Sequence, residues 1–312
     1  MRFLVLLPLS VWCAAFLPAR AANDRAAPEW ITAQVRAPQV QQCTFVSAAA
    51  GTKVSYHLYT PEAYKTEPAR RFPVIYWLHG SGGGLRGIAP LAAHFDAAIR
   101  AGKLPPVIVV FPNGLAESMW CDSPDGRAPM ETVVIKELIP HIDATHRTLA
   151  TRAGRLIEGF SMGGYGSARL GLKHPELFCA VSLLGAGPLQ QEFDPDDTPR
   201  SEPAHAQRLF AQVWGGEQTR FKAQSPWELA GQHAAAKSPP PLLMRQVVGD
   251  RDGTLANNRR FDARLTALKI PHTFTVLPGV GHNTRAVFAA LGEANWKFYR
   301  AAFEGVPAVG KP

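Results

Sequence analysis

Cysteine is scarce: the chain has four in 312 residues, and none is spaced for metal or redox chemistry. No Cys-x-x-Cys, His-Glu-x-x-His or comparable ligand spacing occurs, so nothing points to a zinc module or a metal hydrolase. His141 and His146 flank Asp143, but helix and turn positions account for them without a metal. Clustered positive charge is missing too. The formal net charge is +8, yet the bases are scattered, with Arg70-Arg71 and Arg259-Arg260 the only tight pairs of note. Without a Lys/Arg stripe interleaved with aromatics, nucleic-acid binding is not indicated. The G-x-x-x-x-G-K-[ST] pattern of a phosphate loop is absent as well. Beyond the first twenty residues there is no apolar run long enough to span a bilayer, which takes about 20 residues.

The one long apolar run, Phe3 to Leu17, follows a single positive charge and precedes Ala19-Arg20-Ala21, a small-x-small cleavage site. Residues 1–21 therefore read as a secretory signal peptide, cleaved near Ala21–Ala22, and the protein is expected to be exported to the periplasm or beyond. Cys13 falls inside this leader. Cys43, Cys121 and Cys179 remain, an odd number for an oxidising compartment. Cys179, in a strand-like apolar run, reads as a packed thiol. Cys43 and Cys121 could pair if their backbones came close enough.

What is present is an ordinary globular composition, 46% hydrophobic and 19% charged. Apolar runs predict strands over 41–48, 52–60, 73–79, 106–111, 155–160, 180–185, 242–249 and 272–277. Helical patterns fall at 87–100, 130–144, 162–173, 257–268 and 283–304. This alternation predicts an α/β fold, a mainly parallel sheet with helices on both faces and an antiparallel edge hairpin at its start. The domain runs from 41 to 304, behind an N-terminal extension (22–40) and ahead of a short tail (305–312). Residues 186–240 are polar, Pro-rich and locally acidic. They read as an excursion over the sheet's C-terminal edge, where a lid or pocket wall would lie.

The most informative stretch is GRLIEGFSMGGYG, residues 154–166. It is a short strand running into Gly159-Phe160-Ser161-Met162-Gly163, the G-x-S-x-G turn that lifts a serine above a sheet at a helix N-terminus. Acyl transfer by serine then needs a base, a group that orients it, and donors for the oxyanion. The base is His282, in Pro278-Gly279-Val280-Gly281-His282, between the last strand and the final helix. The orienting acid lies after strand 242–249, where Asp250 and Asp252 both stand; Asp252 is favoured and Asp250 is the alternative, since Asp and Gly also form turns. The oxyanion donors are the backbone N–H groups of Met162 and, from the loop Gly80-Ser81-Gly82-Gly83-Gly84, of Ser81. Trp120, in Ser118-Met119-Trp120-Cys121-Asp122, is either an apolar wall for substrate or a packing residue.

With YWLHGSGG (76–83), SMWCDSPDG (118–126), KELIPHID (136–143), RLIEGFSMGGYGSARL (155–170), VGDRD (248–252) and GVGH (279–282), the chain resembles the Putative esterase family of α/β-hydrolases. That family includes esterase D/S-formylglutathione hydrolases, feruloyl and acetyl xylan-type esterases and mycolyltransferases. The resemblance runs from about residue 40 to 304. It implies an α/β-hydrolase fold, a nucleophile at Ser161, an acid at Asp252, three residues after Gly249, a base at His282 and oxyanion donors at Ser81 and Met162. The chain departs from the family in having Cys121 where aromatic residues are frequent. Its leader disfavours the glutathione substrate of the cytosolic members. The expected function is an exported serine esterase that needs no cofactor or metal and acts on a small-molecule or carbohydrate-linked ester, without stable membrane insertion. An acyltransferase with the same residues, or a non-catalytic binding protein on the same scaffold, are the alternatives.

Overall fold

The computed structural model describes residues 27–198 and 200–304. The expected leader, with Cys13, and the C-terminal tail lie outside the described residues.

In chain order the elements are β1 (Val40–Ser47), β2 (Thr52–Tyr59), α1 (Ala63–Thr66), β3 (Val74–Leu78), α2 (Leu85–Arg100) and β4 (Ile108–Pro112). There follow α3 (Met130–Thr132), a π-helical segment (Val133–Leu138), α4 (Ile139–Thr145), β5 (Arg155–Phe160), α5 (Met162–Lys173) and β6 (Ala180–Leu184). The chain closes with α6 (Pro203–Trp214), α7 (Gln218–Gln224), α8 (Pro226–Ala235), β7 (Leu243–Gly249), α9 (Leu255–Ala267), β8 (Thr273–Leu277), α10 (Thr284–Leu291) and α11 (Glu293–Ala302).

All eight strands form one sheet in the order β1-β2-β4-β3-β5-β6-β7-β8. The β1–β2 hairpin joins β4 antiparallel, and every later pairing is parallel. Parallel strands are covered on both faces, so they read as unbroken apolar runs. β3 shows the rule: all five of its residues are buried. Val74, Tyr76 and Leu78 enter the core on one face with Ile157, Tyr165 and Trp214. Ile75 and Trp77 enter the other with Phe95, Val247 and Tyr299, as a period of two demands.

Three expectations change. The helix expected over 130–144 contains the π segment. Pro140, at the start of α4, has no N–H to offer the carbonyl four residues back, so the ladder loosens there. The single final helix is two, because Gly292 adopts φ +49° and ends α10. The excursion 186–240, polar in sequence, has an apolar interior. Phe193 stacks on Phe210 with centroids 4.5 Å apart, and Trp214 and Phe221 close around them. These rings belong to the same core as Met162 and Tyr165, so the insert is a packed helical layer over α5.

Candidate active site

β5 delivers Ser161 to the sheet's C-terminal edge. Its backbone sits at φ +60°, ψ −120°, a region costly for any residue with a Cβ. The turn is possible because its neighbours are glycine. A Cβ on Gly159 would lie 2.2 Å from the Gly163 carbonyl oxygen, and one on Gly163 would lie 1.9 Å from that of Leu78. The turn is tied down by Ser161 N–H donating to Leu184 O (2.9 Å) and Tyr165 N–H donating to Ser161 O (3.0 Å).

His282 Nε2 stands 2.9 Å from Ser161 Oγ, and its Nδ1 stands 2.8 and 3.0 Å from the two Asp252 oxygens. A carboxylate can only accept, so Nδ1 carries the proton and Nε2 is free to accept from the serine hydroxyl. Asp252 is 4% exposed. Burial pushes its carboxyl pKa up, but hydrogen bonds from His282 and Thr254 outweigh that and hold it below the usual carboxylate value. Thr254 supplies two of these, from its N–H (2.8 Å) and its hydroxyl (2.9 Å). Asp250 is engaged elsewhere, accepting the Gly279 N–H at 2.7 Å, and so shapes the loop that carries His282. Of the two aspartates, the structure brings Asp252 to the histidine.

The glycine loop meets the serine from the other side. A Cβ on Gly80 would touch Ser161 Cβ at 3.2 Å. Met162 opens α5, where an N–H has no carbonyl one turn back to bond. Ser81, the next residue of the glycine loop after Gly80, is exposed. His79 anchors this loop: Gly114 N–H donates to its Nε2 (3.0 Å), which leaves Nδ1–H to donate to Gly80 O (2.8 Å). Burial lowers the His79 pKa, with the Gly80 carbonyl opposing, and so favours the neutral ring that this pair of bonds requires.

Trp120 does not wall the site. It is fully buried, its Nε1–H donates to His79 O (3.3 Å), and Gly114 and Gly166 are small because its ring fills the space beside them. Its ring also meets that of His79 edge-on, with centroids 5.1 Å apart. The three cysteines among the described residues are free, so Cys43 and Cys121 do not pair. Cys121 and Cys179 are pushed up to about 11 by burial.

Residue-type reasoning did not reach Gly185, Thr254 or Phe160. Gly185 has φ +49°, and a Cβ there would lie 3.0 Å from Asp252 Oδ2 and 3.4 Å from His282 Nδ1. Phe160 packs its ring 4.5 Å from that of His282. The Leu-Gly-Ala-Gly that ends β6 was the available signal for Gly185; nothing local marks the other two.

Two cavities flank the glycine loop and share Trp77, His79, Gly83 and Gly84 in their walls. One, of about 830 Å³, lies toward His57, Asn113 and the N-terminal segment at Pro28, Glu29 and Thr32. The other, of about 630 Å³, lies between α2 and α10, against Phe160 and Phe288. No group of His, Cys, Asp and Glu suited to a metal ion occurs among the described residues. No helix among them is long and apolar enough to cross a membrane.

The profile of the family described as "Putative esterase" matches residues 47–305. Esterase Rv1288 of Mycobacterium tuberculosis is 30% identical over 268 residues, which cover 78% of this chain and 56% of that protein. An endo-1,4-beta-xylanase/feruloyl esterase of Xylanibacter ruminicola is 35% identical over 164 residues, covering 49% of this chain and 22% of the relative. The chain thus spans about half, or less, of the length of these relatives. Among solved structures, a ferulic acid esterase superposes with a TM-score of 0.67 at 23% identity, covering 84% of this chain and 97% of the other. FphF, a fluorophosphonate-binding serine hydrolase of Staphylococcus aureus, gives 0.67 at 15% identity, covering 85% and 98%. At these identities the structural likeness establishes the α/β-hydrolase fold.

Proposed function

This chain belongs to the Putative esterase family, and on that premise we propose that it is an exported serine esterase that hydrolyses carboxylic esters through an acyl-enzyme on Ser161. The observation that carries the reading is the chain of contacts from Ser161 Oγ to His282 Nε2 and from His282 Nδ1 to Asp252. Ser161 Oγ attacks the ester carbonyl carbon as its proton passes to His282 Nε2. The N–H groups of Met162 and Ser81 hold the oxyanion, and Asp252 stabilises the imidazolium. Collapse breaks the bond to the alcohol, which leaves with the proton from His282. Water then attacks the acyl carbon, giving its proton to His282. The second collapse releases the acid and returns the proton to Ser161.

Export rests on the leader read in residues 1–21. The relative named a feruloyl esterase makes an ester of an aromatic acid part of the test. The experiment is hydrolysis of a p-nitrophenyl ester ladder, acetate to decanoate with a feruloyl ester, by the protein and its Ser161→Ala variant. Ser161→Ala should lower kcat by on the order of 10⁴-fold with the fold intact. A fluorophosphonate should transfer its phosphonyl group to Ser161 Oγ with loss of fluoride and the serine proton, and only in the unaltered protein should Ser161 gain that mass. Near-normal turnover in the variant would sink the nucleophile assignment.

A further inference from the structure

The cavity between α2 and α10 is walled by Trp77, Leu91, Phe160 and Phe288, and it reaches Gly80, the residue that touches Ser161. Its walls are mainly apolar, as a site for the carbon skeleton of a ligand should be. Four polar side chains, His79, His94, Thr284 and Arg285, break this pattern. His94 lines the cavity, its ring stacked on Phe288 at 4.8 Å, and its Nε2 is shut from solvent with no hydrogen-bond partner. Arg285 stands on the same lining at the exposed surface.

Arg285 is the anomalous one. It is the second residue of α10, and no acidic residue lies in that helix's first turn. A cation there opposes the partial positive charge of the helix N-terminus, a cost usually relieved by a neighbouring carboxylate. Arg285 has no ion-pair partner among the described residues: the acid nearest in sequence, Glu293, is on Arg300, and Asp252 is on His282. An uncompensated charge that breaks a local rule three residues from His282 marks a functional position rather than a stabilising one. Arg86 repeats the pattern on the far side of the glycine loop. It is the second residue of α2, exposed and likewise without an ion pair among the described residues.

We propose that this cavity receives the acyl part of an ester that also carries a carboxylate, and that Arg285 determines that preference by pairing with the carboxylate. The apolar walls take the carbon chain while the guanidinium takes the anion at the rim, where a planar fork matches a carboxylate. The proposal rests on the serine-esterase reading and adds the class of substrate to it.

The test compares mono-p-nitrophenyl adipate with p-nitrophenyl hexanoate, which share chain length and leaving group and differ in the terminal carboxylate. The adipate-to-hexanoate ratio of kcat/KM should fall about tenfold in Arg285→Gln, the scale of a partly screened charge-assisted contact. In the unaltered protein the ratio should fall as salt is raised. A ratio unchanged by Arg285→Gln overturns the assignment, whereas the serine reading is decided separately by loss of hexanoate turnover in Ser161→Ala. Should neither ester turn over, calorimetry of hexyl hydrogen adipate against Ser161→Ala gives the answer. Binding weakened by salt and by Arg285→Gln supports the proposal; binding indifferent to both, or none, overturns it.

Discussion

Two aspartates two residues apart have different work because each meets a different partner. Asp250 accepts one backbone N–H on the loop surface, while Asp252 is buried and accepts from His282 and Thr254. Asp252→Asn replaces an acceptor with an amide that can present N–H to Nδ1, which favours the wrong imidazole tautomer. The expected loss in kcat is on the order of 10³- to 10⁴-fold. Asp250→Asn keeps a carbonyl for the Gly279 N–H and should cost less than about tenfold, since only one hydrogen bond, to a backbone N–H away from the reacting atoms, is weakened. Steady-state kinetics of the two variants checks this, and the reverse order would move the orienting role to Asp250. Sequence could narrow the acid to these two and no further. The choice is made by which side chain turns inward, and that depends on Thr254 and on the space left by Gly185.

At the level of elements, the strands that carry the site are pinned by a buried polar cluster behind it. Glu158, on β5 three residues before Ser161, accepts from Ser182 Oγ on β6 (2.6 Å), Arg245 on β7 (2.7 Å) and Tyr299 OH on α11 (2.6 Å). Arg245 also donates to Ser182 Oγ and Asn295 Oδ1 (both 2.8 Å) and lies 4.1 Å above the Phe298 ring. The cluster therefore fixes β5 relative to β7, the strand that leads to Asp252. Removing one charge leaves the other buried and unpaired, which costs about 3–5 kcal/mol. Arg245→Met should lose about that much in denaturant unfolding. The double variant Glu158→Gln/Arg245→Met should recover a good part of it, because neither charge then remains. Additive losses would mean that the two residues are not coupled. The strands themselves were legible from apolar runs, since β3, β4, β5, β6 and β7 are covered on both faces. Glu158 and Arg245 were not, because a buried ion pair made across strands leaves no periodic mark. The π segment and the break at Gly292 were missed for the same kind of reason. The apolar stripe continues through both, while proline and a positive φ change the backbone beneath it.

Across the whole molecule, burial acts on the histidines in one direction. His57, His79, His94, His141, His146 and His233 all have pKa values lowered chiefly by desolvation. Two of them accept backbone N–H groups through Nε2: His57 from Val35, which ties the N-terminal segment to β2, and His79 from Gly114, which ties the glycine loop to the loop after β4. Protonation would replace each acceptor with a donor and break these ties. Because the folded pKa lies below the unfolded value of about 6.5, the unfolded chain binds more protons between the two. This contribution to stability is therefore complete above about pH 6.5 and is lost progressively as pH falls below it. Asp252 and Glu131 also have lowered values, the latter because its bonds to His174, Arg169 and Lys173 outweigh its burial. Their contribution is present above about pH 4 and is lost below it, so the second loss adds to the first. Urea unfolding should show a lower midpoint at pH 5 than at pH 7.5, with net proton uptake on unfolding near pH 6. His57→Gln, which keeps a side-chain acceptor for Val35 but cannot titrate, should flatten part of that slope. An equal or higher midpoint at pH 5 would show that the buried histidines are not held neutral. The N-terminal segment and the glycine loop would then owe their positions to packing rather than to these two imidazole acceptors.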